Sequence, residues 1–467
     1  MTEGPSLRIS EYENRRKTVF RFFGRLPGIP CGGEKVPDIK GKEGRNMRRK
    51  ILCIALALSL LAGLTGCAAL DWTYSAGKKR KGDASATEGK IGNATELTAG
   101  VSAGASDAKE ADERFRNAYN TFALKLLKET AGNGTLFISP YSLYAALAML
   151  QNGEAGKTLA ATEEALGLPA AELNAYLKSM ADRYMNGEQV TVSNSVWVEQ
   201  SVQDCVVEEF LKDCVAYYSA SVYAADFSRT ETVNAMNRWI KEKSKDRIHD
   251  LVKDLNPSLV MTLFNCLTFD GKWKNEFKEE NTKDAPFTAA DGTTRQVQMM
   301  NGEAECYFKS NLYQGFDKMY EGDYIFRAIL PNDGVSVQEL LEKFSANSLS
   351  DPGIYDGTAI IRMPKVRFES ETIELNGPLI KMGFGPIFSG ADFSRMFKNM
   401  PVAVSEVKQK TFLEIDEKGT KAAAVTQITV KNECVMEEPH VVELNKPFLY
   451  MIVDRDANIP IFIGIYE

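Results

Sequence analysis

The sequence predicts an α+β fold in which helices come first and most strands follow. Apolar residues recur at steps of three and four in the first helical segment, at Phe115, Tyr119, Phe122 and Leu126. From residue 258 onward the chain is a succession of short runs rich in branched and aromatic residues, separated by turn residues. We see no internal repeat or linker in residues 109–467. We therefore expect one large domain with helices packed around large sheets.

Residues 47–66 have the features of a secretion signal. Arg48, Arg49 and Lys50 precede a run of about a dozen mostly apolar residues, which is too short for a comfortable membrane span. The run ends in Leu64-Thr65-Gly66-Cys67 and resembles a bacterial lipobox. Cys67 is therefore the predicted lipidation site, and a plain membrane anchor is the alternative.

The segments on either side of the signal predict how the domain is presented. Signal peptides act from the N-terminus, so we expect residues 1–46 to derive from an upstream start codon and to be absent in the cell. Residues 67–108 are rich in Gly, Ala, Ser, Thr and Lys and show no apolar period, which predicts a flexible tether. These features predict a lipid-anchored protein on the extracellular face of a bacterial cell envelope.

The composition argues against several classes of function. The net charge is −7, and residues 1–66 carry 13 Lys and Arg against 6 Asp and Glu, so the rest of the chain is strongly acidic. A nucleic-acid-binding face is basic, so we expect no such partner. The eight cysteines form no CxxC pair, and His249 and His440 have no metal-ligand spacing. With no GxSxG motif either, we expect no metal, no cofactor and no enzymatic activity.

Short motifs follow one another in a characteristic order through the second half of the chain and part of the first. They are Asn133 to Ser142 (NGTLFISPYS), the 234–248 helix, Asn265, Phe269, Gly271, Trp273, Phe277, Thr282, Phe287, Gly292, Val297, Met299, Met300, Leu330-Pro331, Pro364-Lys365, Ala391-Asp392-Phe393-Ser394, Asn445-Lys446-Pro447-Phe448 and Phe462-x-Gly464. Each motif alone is weak. As an ordered set, over residues 112–467, they resemble the serpin (serine protease inhibitor) family, here in a bacterial lipoprotein form.

The segment EKGTKAAAVT, which begins at Glu417, resembles the hinge of the family's reactive-centre loop. The resemblance assigns the hinge to Glu417, Gly419, Thr420, Ala422, Ala423, Ala424 and Thr426. It implies a serpin fold of three β-sheets and eight or nine α-helices, with this loop exposed near the C-terminus. In inhibitory members a protease cleaves the loop, which then inserts as a new strand into the main sheet and traps the protease covalently.

The residues themselves fit a segment that becomes a central strand. Alternate side chains of a strand face opposite sides of the sheet. One alternate set is uncharged, small at first and branched later, and consists of Thr420, Ala422, Ala424, Thr426, Ile428 and Val430. The other set carries the charges and consists of Lys421, Ala423, Val425, Gln427, Thr429 and Lys431. No proline interrupts residues 420–431, as a central strand requires.

Two counts along the loop give different reactive bonds. In the family the scissile bond lies at a set distance past the hinge glycine, which places it at Glu433-Cys434. Counting back from Pro447 instead allows Met436. We favour Glu433 because the hinge count governs how much strand must insert. Glu433 predicts glutamate-specific target proteases, Met436 predicts elastase- or chymotrypsin-like ones, and Lys431 is a weaker choice for trypsin-like ones.

Two further groups of residues are implied by the resemblance to control opening of the main sheet. The first, which we call the shutter, lies behind the central strands and consists of Ser139, Ser142, Asn265 and Gln409. Gln409 stands where the family has a histidine, and an amide can both donate and accept hydrogen bonds. The second is Trp273, which resembles the residue of the breach, the top of the sheet where insertion begins.

The leading hypothesis is a serine-type endopeptidase inhibitor that acts as a suicide substrate, tethered by lipid and monomeric. The target serine proteases are its expected partners, and the membrane is contacted through the lipid anchor only. A non-inhibitory binding protein on the same fold is the alternative. An enzyme of unknown type is the third hypothesis, for which we find no set of catalytic residues. A protease complex that survives boiling in detergent distinguishes the first hypothesis from the second.

Overall fold

The computed structural model describes residues 90–467 except 105, 133, 257–258 and 421–439. Several predictions concern residues outside this part of the chain, namely residues 1–46, the signal at 47–66, Cys67, Ala422, Ala423, Ala424, Thr426, Glu433, Cys434 and Met436. Among the described residues, no helix is both long enough and apolar enough to cross a membrane.

Ten α-helices form in the described residues, most of them before residue 245. They are α1 (Glu113–Thr130), α2 (Pro140–Gln151), α3 (Gly156–Leu166), α4 (Ala170–Asn186), α5 (Glu208–Tyr218), α6 (Thr230–Lys243), α7 (Val337–Lys343), α8 (Ala346–Ser350), α9 (Asn376–Leu379) and α10 (Gly385–Phe388). The predicted apolar face of α1 is buried. Its N-cap Asp112 accepts a hydrogen bond from the amide of Phe115. Ser139 caps α2 in the same way, with Pro140 as its first residue.

A seven-stranded sheet forms much of the core. Its order is β13 (Ile354–Tyr355), β10 (Cys306–Lys309), β11 (Tyr313–Met319), β12 (Tyr324–Pro331), β21 (Phe448–Asp454), β22 (Ile459–Tyr466) and β3 (Leu136–Ile138). Every residue of β12 and β21 is buried. Strands that are buried along their whole length must be covered on both faces, and α1, α2 and α8 contact this sheet through β22.

Two further sheets are joined through the chain, because β6 (Met261–Phe269) of the first is followed almost directly by β7 (Gly271–Lys272) of the second. The first has the order β1 (Lys90–Ile91), β2 (Ala94–Glu96), β5 (Ser221–Ala225), β4 (Val190–Glu199) and β6. The second has the order β15 (Val366–Glu369), β18 (Phe412–Asp416), β19 (Gly419–Thr420) and β7. No strand pair among the described residues joins β6 to β18.

Two smaller sheets complete the architecture. The first has the order β20 (His440–Glu443), β14 (Ala359–Pro364), β9 (Thr294–Ala304) and β8 (Lys283–Thr288), and β20 begins directly after the undescribed residues 421–439. The second pairs β16 (Ile373–Glu374) with β17 (Lys408–Gln409). The long run AIIRMPKVRF divides at Lys365 into β14 and β15, which belong to different sheets.

The α+β prediction is confirmed, and two details differ. The described residues form five hydrogen-bonded sheets rather than three, because no described strand pair joins β6 to β18 and β16 pairs only with β17. The chain from α9 to α10 is one helical segment broken at Gly383, whose φ of 109° is left-handed. Taken as one helix, this segment brings the described number from ten to nine.

The predicted tether, residues 67–108, extends too far toward the domain. β1 and β2 form a hairpin that pairs with the edge of β5, and Ala94 is fully buried. Asn93 also donates a hydrogen bond of 2.9 Å to the Thr232 hydroxyl. Residues 90–96 are therefore part of the sheet, since an unpaired strand edge supplies hydrogen-bond partners that a polar sequence alone does not reveal.

Candidate site for loop insertion

The hinge leaves β18 through a turn that requires glycine. The Asp416 carboxylate accepts hydrogen bonds from the amides of Lys418 (2.9 Å) and Gly419 (3.2 Å). Gly419 has a φ of 147°, and a Cβ placed there would lie 2.1 Å from the Gly271 carbonyl oxygen. The turn directs residues 419–420 back along β18, so that β19 pairs with β18 on one side and β7 on the other.

Thr420, the first residue of the predicted inward-facing set, is buried beneath the sheet. Only 4% of its surface is exposed, and its hydroxyl lies 2.7 Å from the Tyr320 hydroxyl. It lines a cavity of about 20 Å³ together with Phe412, Arg247 and several apolar side chains. The site at which the loop joins the sheet therefore accepts a small side chain with one hydrogen-bonding group.

Glu417 fixes the start of the hinge. Its carboxylate accepts hydrogen bonds from the Lys365 ammonium at 2.8 Å and the Thr282 hydroxyl at 2.7 Å. Burial opposes ionisation of this group, but the hydrogen bonds from Lys365 and Thr282 outweigh it, so the pKa of Glu417 is lowered. The amide of Phe277 donates to the Glu417 carbonyl at 2.9 Å. Lys365, Thr282 and Phe277 thus hold Glu417 in place just before the chain turns at Gly419.

Trp273 lies under the hinge and contacts it twice. Its indole N–H donates to the Asp416 carbonyl and its backbone amide to the Lys418 carbonyl, both at 2.9 Å. The indole stacks on the Tyr320 ring with centroids 4.3 Å apart, and Trp273 is 1% exposed. This aromatic pair forms the floor on which residues 416–420 rest.

The four predicted shutter residues form one hydrogen-bonded group at the start of α2. Gln409 accepts from the Ser139 amide and donates to the Ser139 carbonyl, both at 3.0 Å. The Ser142 hydroxyl donates to the side-chain and backbone oxygens of Asn265. Ser139 in turn donates its hydroxyl to the Ile461 carbonyl at 2.9 Å. The N-terminus of α2 therefore links β6, which carries Asn265, to β17, which carries Gln409.

A cleft separates these two strands. It has a volume of about 290 Å³ and is lined by β6, by residues 404–412 and by the shutter side chains. The first five residues of β6 are partly exposed, whereas its last four are buried. A strand edge that faces a cleft offers unpaired backbone donors and acceptors, which is what an additional strand requires.

Sequence reasoning missed several residues of this site. Tyr320 touches the hinge, and Asn194 accepts a hydrogen bond from the Asn265 amide. Thr282, which also touches the hinge, was recognised only as a member of the ordered motif set. Lys365 was recognised only within the Pro364-Lys365 motif, and no local pattern links it to Glu417. Among the described residues, no group of three or more His, Cys, Asp or Glu side chains could hold a metal ion.

Comparison with known proteins agrees with this geometry. The model of the family "Serpin (serine protease inhibitor)" matches residues 117–467. An uncharacterized serpin-like protein of Thermococcus kodakarensis is 30% identical over 76% of this chain and 86% of its own length. The alpha-1-antiproteinase of Ovis aries is 31% identical over 72% of this chain and 83% of its own length.

A solved structure shows the same architecture. The thermophilic serpin tengpin in its native state is 31% identical, with a TM-score of 0.74 over 80% of this chain and 99% of tengpin. Serpins are inhibitors rather than enzymes, so the expectation that the chain is not an enzyme is confirmed with the family. The family model, the relatives and the shared fold together establish that this chain belongs to the serpin family.

Proposed function

We propose that this protein inhibits serine proteases as a suicide substrate, by inserting its cleaved reactive loop into the main sheet. The single observation that carries the proposal is the position of β19. Residues 419–420 already pair with β18 as the first rungs of a strand, and the cleft beside β6 lies ahead of them. The undescribed residues that follow have the alternating pattern such a strand needs.

Insertion would release enough free energy to disturb a trapped protease. Residues 420–431 would gain a ladder of backbone hydrogen bonds, each contributing on the order of 1 kcal/mol, or roughly 10 kcal/mol together. Burial of the small and branched inward set adds to this figure. Whole protein domains are stable by only about 5–15 kcal/mol, so distortion of a protease active site is within reach.

The chemistry is that of an interrupted peptide hydrolysis. The serine hydroxyl of the protease attacks the Glu433 carbonyl, the peptide bond to Cys434 breaks, and the new amino group of Cys434 takes up the proton. The acyl-enzyme ester persists if insertion is complete before water attacks it. Inhibition is therefore a competition between insertion and deacylation, and hinge residues decide its outcome.

A protease panel tests this proposal. The parent protein is incubated with glutamate-specific, elastase-like and trypsin-like enzymes, and products are separated after boiling in detergent. We expect a covalent complex with at least one enzyme, and mass spectrometry of the C-terminal fragment should begin at Cys434. Cleavage by every enzyme without any complex would overturn the proposal and favour the non-inhibitory alternative.

A second experiment probes metastability directly. Cleavage of the loop near Glu433 by a protease that is not trapped should convert the protein to the inserted form. We expect the cut protein to unfold at a markedly higher temperature than the uncut protein. Equal unfolding temperatures would mean that no strand was gained.

We also propose that the inhibitor acts as a monomer held at the outer face of a bacterial envelope through a lipid on Cys67. The support is the sequence of residues 47–66, with its positive start, apolar run and small residues before the cysteine. Metabolic labelling with a fatty acid tests the anchor, and Cys67→Ser is the matched control that should lose the label. The intact mass of the unprocessed Cys67→Ser form should correspond to a start at Met47, and a start at Met1 would contradict the assignment of residues 1–46.

A further inference from the structure

Lys318, on β11, is a buried cation that the insertion mechanism described above does not use. It is 1% exposed, and its ammonium donates to the carbonyl oxygens of Asn275 at 2.8 Å and Glu303 at 2.9 Å. The same ammonium lies 4.5 Å from the centre of the Phe277 ring and 5.6 Å from that of Trp273. A buried charge is costly, so its presence beneath the breach calls for a role.

Residues 273–277, which we call the breach segment, are the link between Lys318 and the hinge. The amides at the two ends of this segment, those of Trp273 and Phe277, donate to the carbonyls of Lys418 and Glu417. At Lys274 the segment bonds by its own backbone to the Met319 carbonyl. Beyond that point it is held from below by the Lys318 ammonium.

Asn275 is the residue that Lys318 holds, and it is tied a second time. Its side-chain amide donates to one carboxylate oxygen of Glu305 at 2.8 Å, and the other oxygen accepts from the Met319 amide at 2.9 Å. Lys318, Asn275 and Glu305 thus connect β11, the end of β9 and the breach segment. This cross-link fixes the position of the breach segment relative to β11. Because the segment also bonds to residues 417 and 418, it fixes the position of the hinge as well.

The surroundings of the Lys318 ammonium offset only part of the cost of burying its charge. Burial lowers the pKa of Lys318 to about 8, while the carboxylates of Glu305 and Glu303 act in the opposite direction. From the breach segment it faces two aromatic rings and the Asn275 carbonyl rather than a carboxylate. The charge is therefore sensitive to moderately alkaline pH.

We propose that Lys318 is a positioning residue for loop insertion. It holds the breach segment in the position at which that segment binds the hinge of the reactive loop. The proposal rests on the proposed inhibitory function only for its consequence, since the positioning itself is a property of the uncleaved protein. Loss of the ammonium would let residues 273–277 move away from residues 417–418. The cleaved loop would then begin its insertion from a poorly placed start, and more inhibitor would be turned over as a substrate.

Hydrogen exchange tests the positioning. We compare the parent with Lys318→Met, Lys318→Arg and Lys274→Met, the last removing an exposed charge from the same segment. We expect exchange at the Trp273 and Phe277 amides to be at least tenfold faster in Lys318→Met, close to parental in Lys318→Arg, and unchanged in Lys274→Met. Parental exchange rates at both amides in Lys318→Met would overturn the proposal.

The pH profile of unfolding separates the charge from mere packing. The pKa of Lys318 is lower in the folded protein than in the unfolded chain, so the native state binds its proton less tightly. The unfolding temperature of the parent should therefore rise relative to that of Lys318→Met between pH 8 and 10.5, with no such relative rise in Lys318→Arg. A constant difference between parent and Lys318→Met across this range would contradict the lowered pKa of Lys318, and with it the burial of its charge under the breach segment.

Inhibition supplies the functional measurement. The number of inhibitor molecules consumed for each protease trapped should increase several-fold in Lys318→Met and return toward the parental value in Lys318→Arg. If the parent traps no protease, the proposed function fails, but the exchange and pH experiments still decide the role of Lys318. If the parent traps protease and Lys318→Met consumes the same number of molecules for each protease trapped, the inference fails while the proposed function stands.

Discussion

Replacement of Thr420 by arginine is the most direct test of insertion. Thr420 is 4% exposed, its hydroxyl bonds to that of Tyr320 at 2.7 Å, and the cavity it lines holds only about 20 Å³. Arg247 lines the same cavity. An arginine at position 420 therefore has too little room, leaves the Tyr320 hydroxyl without its partner and meets a like charge.

These terms can be combined into an expected effect on the rate of insertion. An unsatisfied buried hydroxyl costs about 1–3 kcal/mol, and an unpaired buried charge costs several kcal/mol more. A total near 4 kcal/mol is a conservative estimate on these values. Thr420 is already seated in the uncleaved protein, so we expect an arginine to leave the sheet there and to be forced back when the loop inserts. If the transition state for insertion carries half of the cost of forcing it back, about 2 kcal/mol, insertion slows by roughly 30-fold, since each 1.4 kcal/mol is a factor of ten.

The assay is a titration of protease with inhibitor, followed by separation of covalent complex from cleaved inhibitor. For Thr420→Arg we expect the ratio of cleaved inhibitor to complex to rise by roughly 30-fold, with little change in the rate of loop cleavage. Gln427→Arg is the control, because it adds the same charge to the predicted outward-facing set. If Thr420→Arg traps protease as efficiently as the parent, the insertion mechanism is wrong.

Three other predictions test the assigned reactive bond, the shutter and a buried carboxylic acid. Glu433→Arg should make the loop a target for trypsin-like proteases. Continued cleavage after Met436 would show that the reactive bond was misassigned. Gln409→Ala removes both hydrogen bonds to Ser139 and should destabilise the protein by about 2 kcal/mol in thermal unfolding. Burial raises the pKa of Glu154 from 4.5 to about 7. The stability that Glu154 contributes is therefore full below pH 4.5 and is lost as the pH rises through 7. Glu154→Gln should remove that dependence, and an unchanged pH profile of thermal unfolding would contradict this.

The sequence was most informative where its short motifs resemble those of the serpin family. Gly419 and Thr420 were recognised because EKGTKAAAVT resembles the serpin hinge, and the structure supplies the physical reason for each residue, a left-handed turn and a small cavity. The shutter residues were identified from the same resemblance, and the structure brings all four together at the start of α2. The α+β class followed from periodicity, because buried helices and strands repeat their apolar residues differently.

Other parts of the site could not be predicted because their partners are distant in the chain. Tyr320 and Lys318 lie about a hundred residues before the hinge, and nothing in β11 indicates what lies above it. β1 and β2 were missed for a different reason, since their five residues include a single large apolar side chain, Ile91, and are too few to show a strand pattern. The Gly92-Asn93 pair between them is a hairpin-turn signal that could have revealed them.

The position of β21 and β22 has a consequence for how the protein behaves after its loop has been cleaved. Both strands lie C-terminal to the proposed reactive bond, yet they stand between β12 and β3 in the interior of the seven-stranded sheet and are almost entirely buried. A cut after Glu433 would therefore yield two fragments that stay associated without a covalent bond, because strands of the fragment 434–467 remain paired within the sheet. The small fragment should stay with the large one through gel filtration and separate only in denaturant.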